Sequence, residues 1–168
     1  MSESKGVSII MAVWNQLGYT KLTVDAILKN SLNTPFELII IDNGSKPNVK
    51  AYFDSLRDKA KINYIRNEQN LGPIRAINQG IKAAGYGYVM VIHNDVLILE
   101  EGWLGKILSV MDGDPEIGIA ALAGRKEIYD TGSVNEESLK HNMEDDDLNE
   151  PMAEAVAEVA VIDGLCFV

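Results

Sequence analysis

The sequence predicts an α/β domain, a mostly parallel sheet with helices on both faces. Three observations predict it. Short continuous apolar runs recur along the chain, as strands buried on both faces require. Amphipathic segments of helical period separate them. Each of the first four runs is followed by Asn, Asp or His, the polar residues expected where a strand ends in a turn.

Each element can be justified in order. Val7–Val13 (VSIIMAV) is an unbroken apolar run and reads as a buried strand. Tyr19–Asn30 places Leu22, Val24, Ala26, Ile27 and Leu28 among Lys21, Asp25 and Lys29, an amphipathic helix. Phe36–Ile41 is a second buried strand, closed by the turn cluster Asp42-Asn43-Gly44-Ser45. Asn48–Lys61 reads as helix and Ile62–Arg66 as a short strand. Pro73 suits the first position of a helix, where its locked φ costs nothing, and that helix runs to about Ala84. Tyr88–Ile92 is a fourth strand, Trp103–Met111 a helix and Ile117–Leu122 a further strand. This alternation is the pattern of right-handed crossover units on a parallel sheet.

Beyond Gly124 the rhythm breaks. Residues 125–152 are polar and acidic and are expected to form an excursion or mobile loop, and Ala155–Ile162 resumes as a strand. No internal repeat or linker interrupts the chain, so residues 1–168 are expected to form one domain. Gly164–Val168 looks like a core strand with nothing after it to cover it, so a truncated domain is expected.

Composition narrows the function. A chain of 168 residues with 46% hydrophobic and 24% charged residues can bury a core and is not wholly disordered. No stretch approaches the roughly 20 apolar residues that span a bilayer, and the N-terminus lacks a secretory pattern. Cys166 has no internal disulfide partner. A cytoplasmic location is expected, with peripheral membrane attachment through other regions or partners as an option. The net charge of −10 disfavours a nucleic-acid partner. That charge is concentrated after residue 100, where 16 Asp and Glu face 4 Lys and Arg. An anionic ligand is therefore sought in the first hundred residues, where 11 basic residues balance 9 acidic ones.

In an open parallel sheet, ligands bind beyond the carboxyl ends of the strands. Those ends carry Trp14-Asn15-Gln16, Asp42-Asn43, Asn67 to Gly72, and His93-Asn94-Asp95. Any one of these could be a turn former only; four on one sheet edge point to a site. A P-loop, a dinucleotide fingerprint after the first strand and a nucleophile elbow are all absent, and His93 and His141 lack the spacing of a zinc pair.

The ordered set of motifs resembles the family-2 glycosyltransferases of GT-A fold. Val7–Asn15 is similar to their first-strand motif, commonly SIIIPVYN, and Leu38–Ser45 to their second-strand motif. Asn70, Gly72, Ala76, Asn78 and Gly80 match their N-x-G-x-x-x-A-x-N-x-G segment. His93-Asn94-Asp95 stands where they carry the metal-binding DXD, and Gly102-Trp103-Leu104 resembles the segment that follows. The similarity covers about residues 7–122, which it implies to be a nucleotide-sugar-binding core.

The resemblance implies a nucleoside-diphosphate-sugar donor bound across the ends of the first four strands. It implies that Ala12, Val13, Trp14 and Asn15 flank the base and that Asp42 accepts hydrogen bonds from base or ribose. Asn43, Asn70, Gly72, Arg75, Asn78, His93 and Asn94 complete the implied donor site. Asp95 would hold Mg²⁺ or Mn²⁺, with phosphate oxygens and waters completing the shell of this hard cation. Departures from the pattern are Ala12 for Pro, Trp14 for Tyr and His93 for Asp. His93 could donate to a ribose hydroxyl or phosphate, or only cap the strand end. Arg75 lies one turn into a helix whose N-terminus would face phosphate, and a solvated surface Arg is the equal alternative.

The implied reaction is metal-assisted glycosyl transfer with inversion to a hydroxyl of a glycan, lipid-linked or protein acceptor. The general base is expected beyond Val168. Glu144–Asp147 is acidic enough to supply one, but it precedes the strand that it follows in the family, so a solvated loop is the alternative. Two rival readings stay open. A nucleotidyltransferase of similar fold would show a Gly-rich basic loop where this chain has Trp14-Asn15-Gln16-Leu17. A binding module without turnover would keep the nucleotide pocket and lack a base.

Overall fold

The computed structural model describes residues 6–57, 61–125, 133, 139–141, 161–162 and 166–168. The chain alternates β1 (Val7–Val13), α1 (Leu17–Asn30), β2 (Phe36–Asp42), α2 (Pro47–Leu56), β3 (Ile62–Arg66), α3 (Pro73–Ala83), β4 (Tyr88–Ile92) and α4 (Trp103–Gly113). Short strands follow: β5 (Ala123–Arg125), β6 (Leu139–His141), β7 (Val161–Ile162) and β8 (Cys166–Phe167).

The main sheet has the order β3-β2-β1-β4-β8. Its first four strands are parallel, and β8 pairs antiparallel with β4 through Val91↔Phe167 and Ile92↔Cys166. Going outward from β1, strand order turns back between β2 and β4, which opens a crevice at the carboxyl ends. The alternation of side chains along each strand explains why the runs are apolar throughout. Val7, Ile9, Met11 and Val13 pack with Leu38, Ile40, Met90 and Ile92 under residues of α1, α2 and α4. Ile10, Ile39 and Ile41 face the other way, against Ala76 of α3. Both faces of β1 and β2 are covered, and the one polar side chain buried inside β1, Ser8, is satisfied by Glu37 and by the Gly85 and Tyr86 N–H groups instead of water.

Gly80 lets α3 lie close to the sheet, since a Cβ there would stand 2.3 Å from Ile10 Cγ2. The helix starts at Gly72, whose φ of 83° suits glycine, with Pro73 at its first turn. Gly102 plays the same part before α4, at φ 75°.

Several expectations are corrected. The segment expected as a strand at Ile117–Leu122 forms none; β5 begins only at Ala123 and joins a second sheet of order β6-β5-β7. The reason is that β8 already occupies the edge of β4, leaving Ala120 to exchange two backbone bonds with Val168 and leaving Ile119 59% exposed. Helix α2 stops at Leu56, short of Lys61, and α1 starts at Leu17 because Asn15 and Gln16 take left-handed conformations just before it. Of the strand expected at Ala155–Ile162, only Val161–Ile162 lies within the described residues, as β7. Residues 126–132 and 142–152 of the acidic excursion, including Glu144–Asp147, lie outside them.

Candidate nucleotide-binding site

The carboxyl ends of β1, β2 and β3 are in register, with Val13, Asp42 and Arg66 side by side. One residue later the chain leaves the sheet, and Asp42 and Asn43 organise opposite faces of this edge.

Asp42 is fully buried. Its Oδ1 accepts the backbone N–H of Ser45 at 2.8 Å, and its Oδ2 accepts both the Tyr64 hydroxyl and the Arg66 guanidinium. A second guanidinium nitrogen of Arg66 donates to the Ser45 carbonyl at 2.7 Å. Tyr64 is fixed in turn by stacking on Phe53 of α2, at 5.2 Å between ring centres. Burial, then the bond to Asp42, pushes the Tyr64 hydroxyl up to about 12, and the bond with Tyr64 and the charge of Asp42 hold Arg66 above its usual value. Both oxygens of Asp42 are thus engaged inside the protein. The direct bond to base or ribose expected from the resemblance finds no exposed oxygen here, because the parallel register brings Arg66 and Tyr64 onto the same face.

Asn43 is 3% exposed and works toward α3. Its amide nitrogen donates to Asn70 Oδ1 at 2.8 Å and to the Gly72 carbonyl at 3.3 Å. Its amide oxygen accepts Asn67 Nδ2 at 3.2 Å and the Leu71 N–H at 3.0 Å. Asn67 forms a reciprocal amide pair with Gln79, and Asn70 Oδ1 also accepts the Gly72 N–H. One buried side chain therefore shapes the whole 67–72 loop. Gly44, at φ 79°, lets that loop approach, since a Cβ there would lie 2.8 Å from Gln69 backbone.

Ser45 joins this edge to β1. Its hydroxyl accepts the Asn15 N–H at 2.8 Å, while Asn15 Oδ1 accepts the Lys46 N–H at 2.9 Å. Trp14 projects beside this turn with 56% of its surface exposed. A cleft of about 810 Å³ opens between the starts of α1 and α2, lined by Asn15, Gln16, Lys21, Asp25, Lys46 and Asn48 among others.

The other expected residues are placed as follows. Val13 is buried and Ala12 half-buried. Asn94 ties the end of β4 to α1 through Thr20 Oγ1 at 3.0 Å. Arg75, Asn78, His93 and Asp95 are exposed. Ser45, Tyr64, Arg66 and Gln79 were not anticipated as parts of the site. A signal existed for two of them: the period-2 alternation of Ile62–Arg66 puts Tyr64 and Arg66 on one face.

Among the described residues no group of three or more His, Cys, Asp or Glu side chains is assembled for a metal. Asp95, exposed at the end of β4, is a single oxygen donor. That fits Mg²⁺ or Mn²⁺, which commonly rest on one or two carboxylates plus substrate phosphates and water.

Comparison with known proteins places this edge in context. The family model Glycosyl transferase family 2 matches residues 8–154. Chondroitin synthase of Pasteurella multocida is 25% identical over 162 residues, covering 95% of this chain and 16% of its own length. Poly-beta-1,6-N-acetyl-D-glucosamine synthase of Staphylococcus aureus is 27% identical over 137 residues, covering 80% of this chain and 32% of its own. The chain thus spans a third or less of these curated relatives. Among solved structures, the mannosyltransferase PcManGT of Pyrobaculum calidifontis, in complex with GDP-Man and Mn²⁺, superposes with a TM-score of 0.62 at 18% identity, over 71% of this chain and 35% of that one. Staphylococcus aureus TarS with UDP-GlcNAc superposes with a TM-score of 0.59 at 18% identity, over 74% and 34%. The shared fold is the GT-A arrangement.

Proposed function

The chain belongs to glycosyl transferase family 2, and on that premise we propose that it binds a nucleoside-diphosphate sugar and transfers its sugar to an acceptor hydroxyl with inversion. The observation that carries this reading is the carboxyl edge of β1 to β4. The parallel pairing brings Trp14, the 67–72 loop, His93 and Asp95 to the same end of the sheet, where the buried Asp42 and Asn43 hold the adjoining loops. Relatives named as synthases of chondroitin and of poly-N-acetylglucosamine favour a glycan acceptor over a lipid-linked or protein one.

Each residue has a proposed part. The exposed Trp14 ring covers a face of the base. Asn43 holds Asn70 and Gly72 where the start of α3 borders the diphosphate. His93 donates to a ribose hydroxyl or phosphate, and Asn94 keeps this turn on α1. Arg75 and Asn78, one and two turns into α3, border the sugar or phosphate side. Asp95 holds Mg²⁺ or Mn²⁺, which supplies neutralisation of the charge that gathers on the departing diphosphate. The acceptor hydroxyl gives its proton to a carboxylate base and attacks the anomeric carbon opposite that diphosphate, whose bond to the carbon breaks as it departs, which inverts the configuration.

The test is calorimetric titration with UDP, GDP, CDP and ADP, with and without Mn²⁺, followed by assay of sugar release and transfer from the donor that binds. Metal-enhanced binding of one diphosphate and transfer from its sugar conjugate are expected. Binding without metal dependence would remove Asp95 from its role. Incorporation of a nucleoside monophosphate with release of pyrophosphate would replace the reading with nucleotidyl transfer.

A further inference from the structure

We propose that Arg66 is the residue that selects the nucleobase, presenting guanidinium donors to a base whose edge carries a carbonyl, as in uracil or guanine. This inference rests on the donor-binding reading above and deepens it.

The argument begins with placement. Arg66 closes β3, in register with Asp42 and, across it, with Val13. Two strand spacings put it roughly 10 Å from the end of β1, a distance that a nucleobase resting on Trp14 would span. Ser45 links the two ends directly: its hydroxyl accepts the Asn15 N–H at 2.8 Å and its carbonyl accepts Arg66 at 2.7 Å. The Trp14–Asn15 turn and the guanidinium are therefore set by one shared residue.

Chemistry supplies the second part. A guanidinium has five N–H donors in a rigid fork. Arg66 is bonded to Asp42, to Ser45 and to Tyr64, which fixes the plane of the group and leaves two of its five donors over. The side chain is 31% exposed, whereas the carboxylate that pairs with it is 0% exposed. So the acid is sealed while the Arg66 side chain is in part at the surface. A pair serving only stability would gain little from this arrangement, since a buried ion pair often does no better than apolar packing. A donor-only group meets the O4 edge of uracil or the O6 edge of guanine favourably. It meets the amino edge of cytosine or adenine donor against donor. A site built to hydrogen-bond one group rejects the analogue that cannot pair with it.

The experiment measures dissociation constants for UDP, GDP, CDP and ADP, all with Mn²⁺, on wild type, Arg66→Lys and the double variant Asp42→Asn/Arg66→Gln. The double variant removes both charges together, so no buried carboxylate is left unpaired, and thermal melting checks that it folds. Wild type is expected to bind UDP or GDP at least tenfold more tightly than CDP and ADP. In the double variant the favoured diphosphate should weaken about 10- to 100-fold, the range for a bond to a charged group, while CDP and ADP change less than threefold. Arg66→Lys keeps the charge without the fork and should recover only part of the preference. Equal weakening for all four nucleotides, or an intact preference, would overturn the proposal and leave the donor-binding reading standing. Failure of wild type to bind any of the four would overturn both.

Discussion

Asp42 and Arg66 are register partners at the carboxyl ends of β2 and β3, and their side chains are joined as an ion pair with the acid fully buried. A backbone pairing is thereby locked by a side-chain bond at the edge where the site begins. Asp42→Ala should destabilise the fold by about 3 kcal/mol, the cost of breaking a buried pair by removing one member. Urea unfolding midpoints measure it. A loss below about 1 kcal/mol would mean that Arg66 relaxes fully into water.

Asn43 makes four side-chain bonds to the 67–72 loop. Asn43→Ala strands several of those groups and should cost about 1–3 kcal/mol. Amide exchange at Leu71 and Gly72 should accelerate before exchange in the β1–β2 core does. Uniform acceleration across both regions would mean that the loop and the core open together.

Asp95 is exposed just beyond the end of β4. Asp95→Ala should leave stability within about 0.5 kcal/mol and abolish the Mn²⁺-dependent part of nucleotide binding. Titration with and without Mn²⁺ separates the two, and an unchanged metal effect would place the cation elsewhere.

Gly80→Ala sets two effects against each other. Alanine favours a helix by about 1 kcal/mol over glycine. Here its Cβ would stand 2.3 Å from Ile10 Cγ2, in a fully buried strand that cannot move aside. Overpacking of that kind costs about 1–3 kcal/mol, so a net loss of about 1 kcal/mol is expected in thermal or urea unfolding. A gain would show that α3 can lift from the sheet.

The tyrosines predict behaviour in alkali. Tyr64 is pushed up to about 12 by burial and by Asp42, and Tyr52 to about 12 by burial and by Asp25. A raised folded value means that the native state holds its proton after the unfolded chain has released it near 10. Stability should therefore be flat below pH 10 and fall between about pH 10 and 12. Urea midpoints across that range, compared with Tyr64→Phe and Tyr52→Phe, should give a shallower fall in each variant.

The sequence alone determined the parallel sheet. Runs such as Val7–Val13 and Phe36–Ile41 are apolar at every position but Ser8 and Glu37, which bond to each other, and a strand covered on both faces calls for that. Pro73 likewise announced the start of α3. Tertiary structure decided what each polar residue at that edge does. Asp42 and Asn43 are adjacent and chemically similar in the chain, yet period-2 alternation sends one toward Tyr64 and Arg66 and the other toward Asn67 and Asn70. Which partners lie on each face depends on strands and loops 22 to 29 residues away. Ile117–Leu122 failed as a strand for the same reason. Its local pattern is compatible with one, but the place beside β4 went to Cys166–Phe167, some 45 residues further on, and only the folded sheet arbitrates between two segments that want one edge.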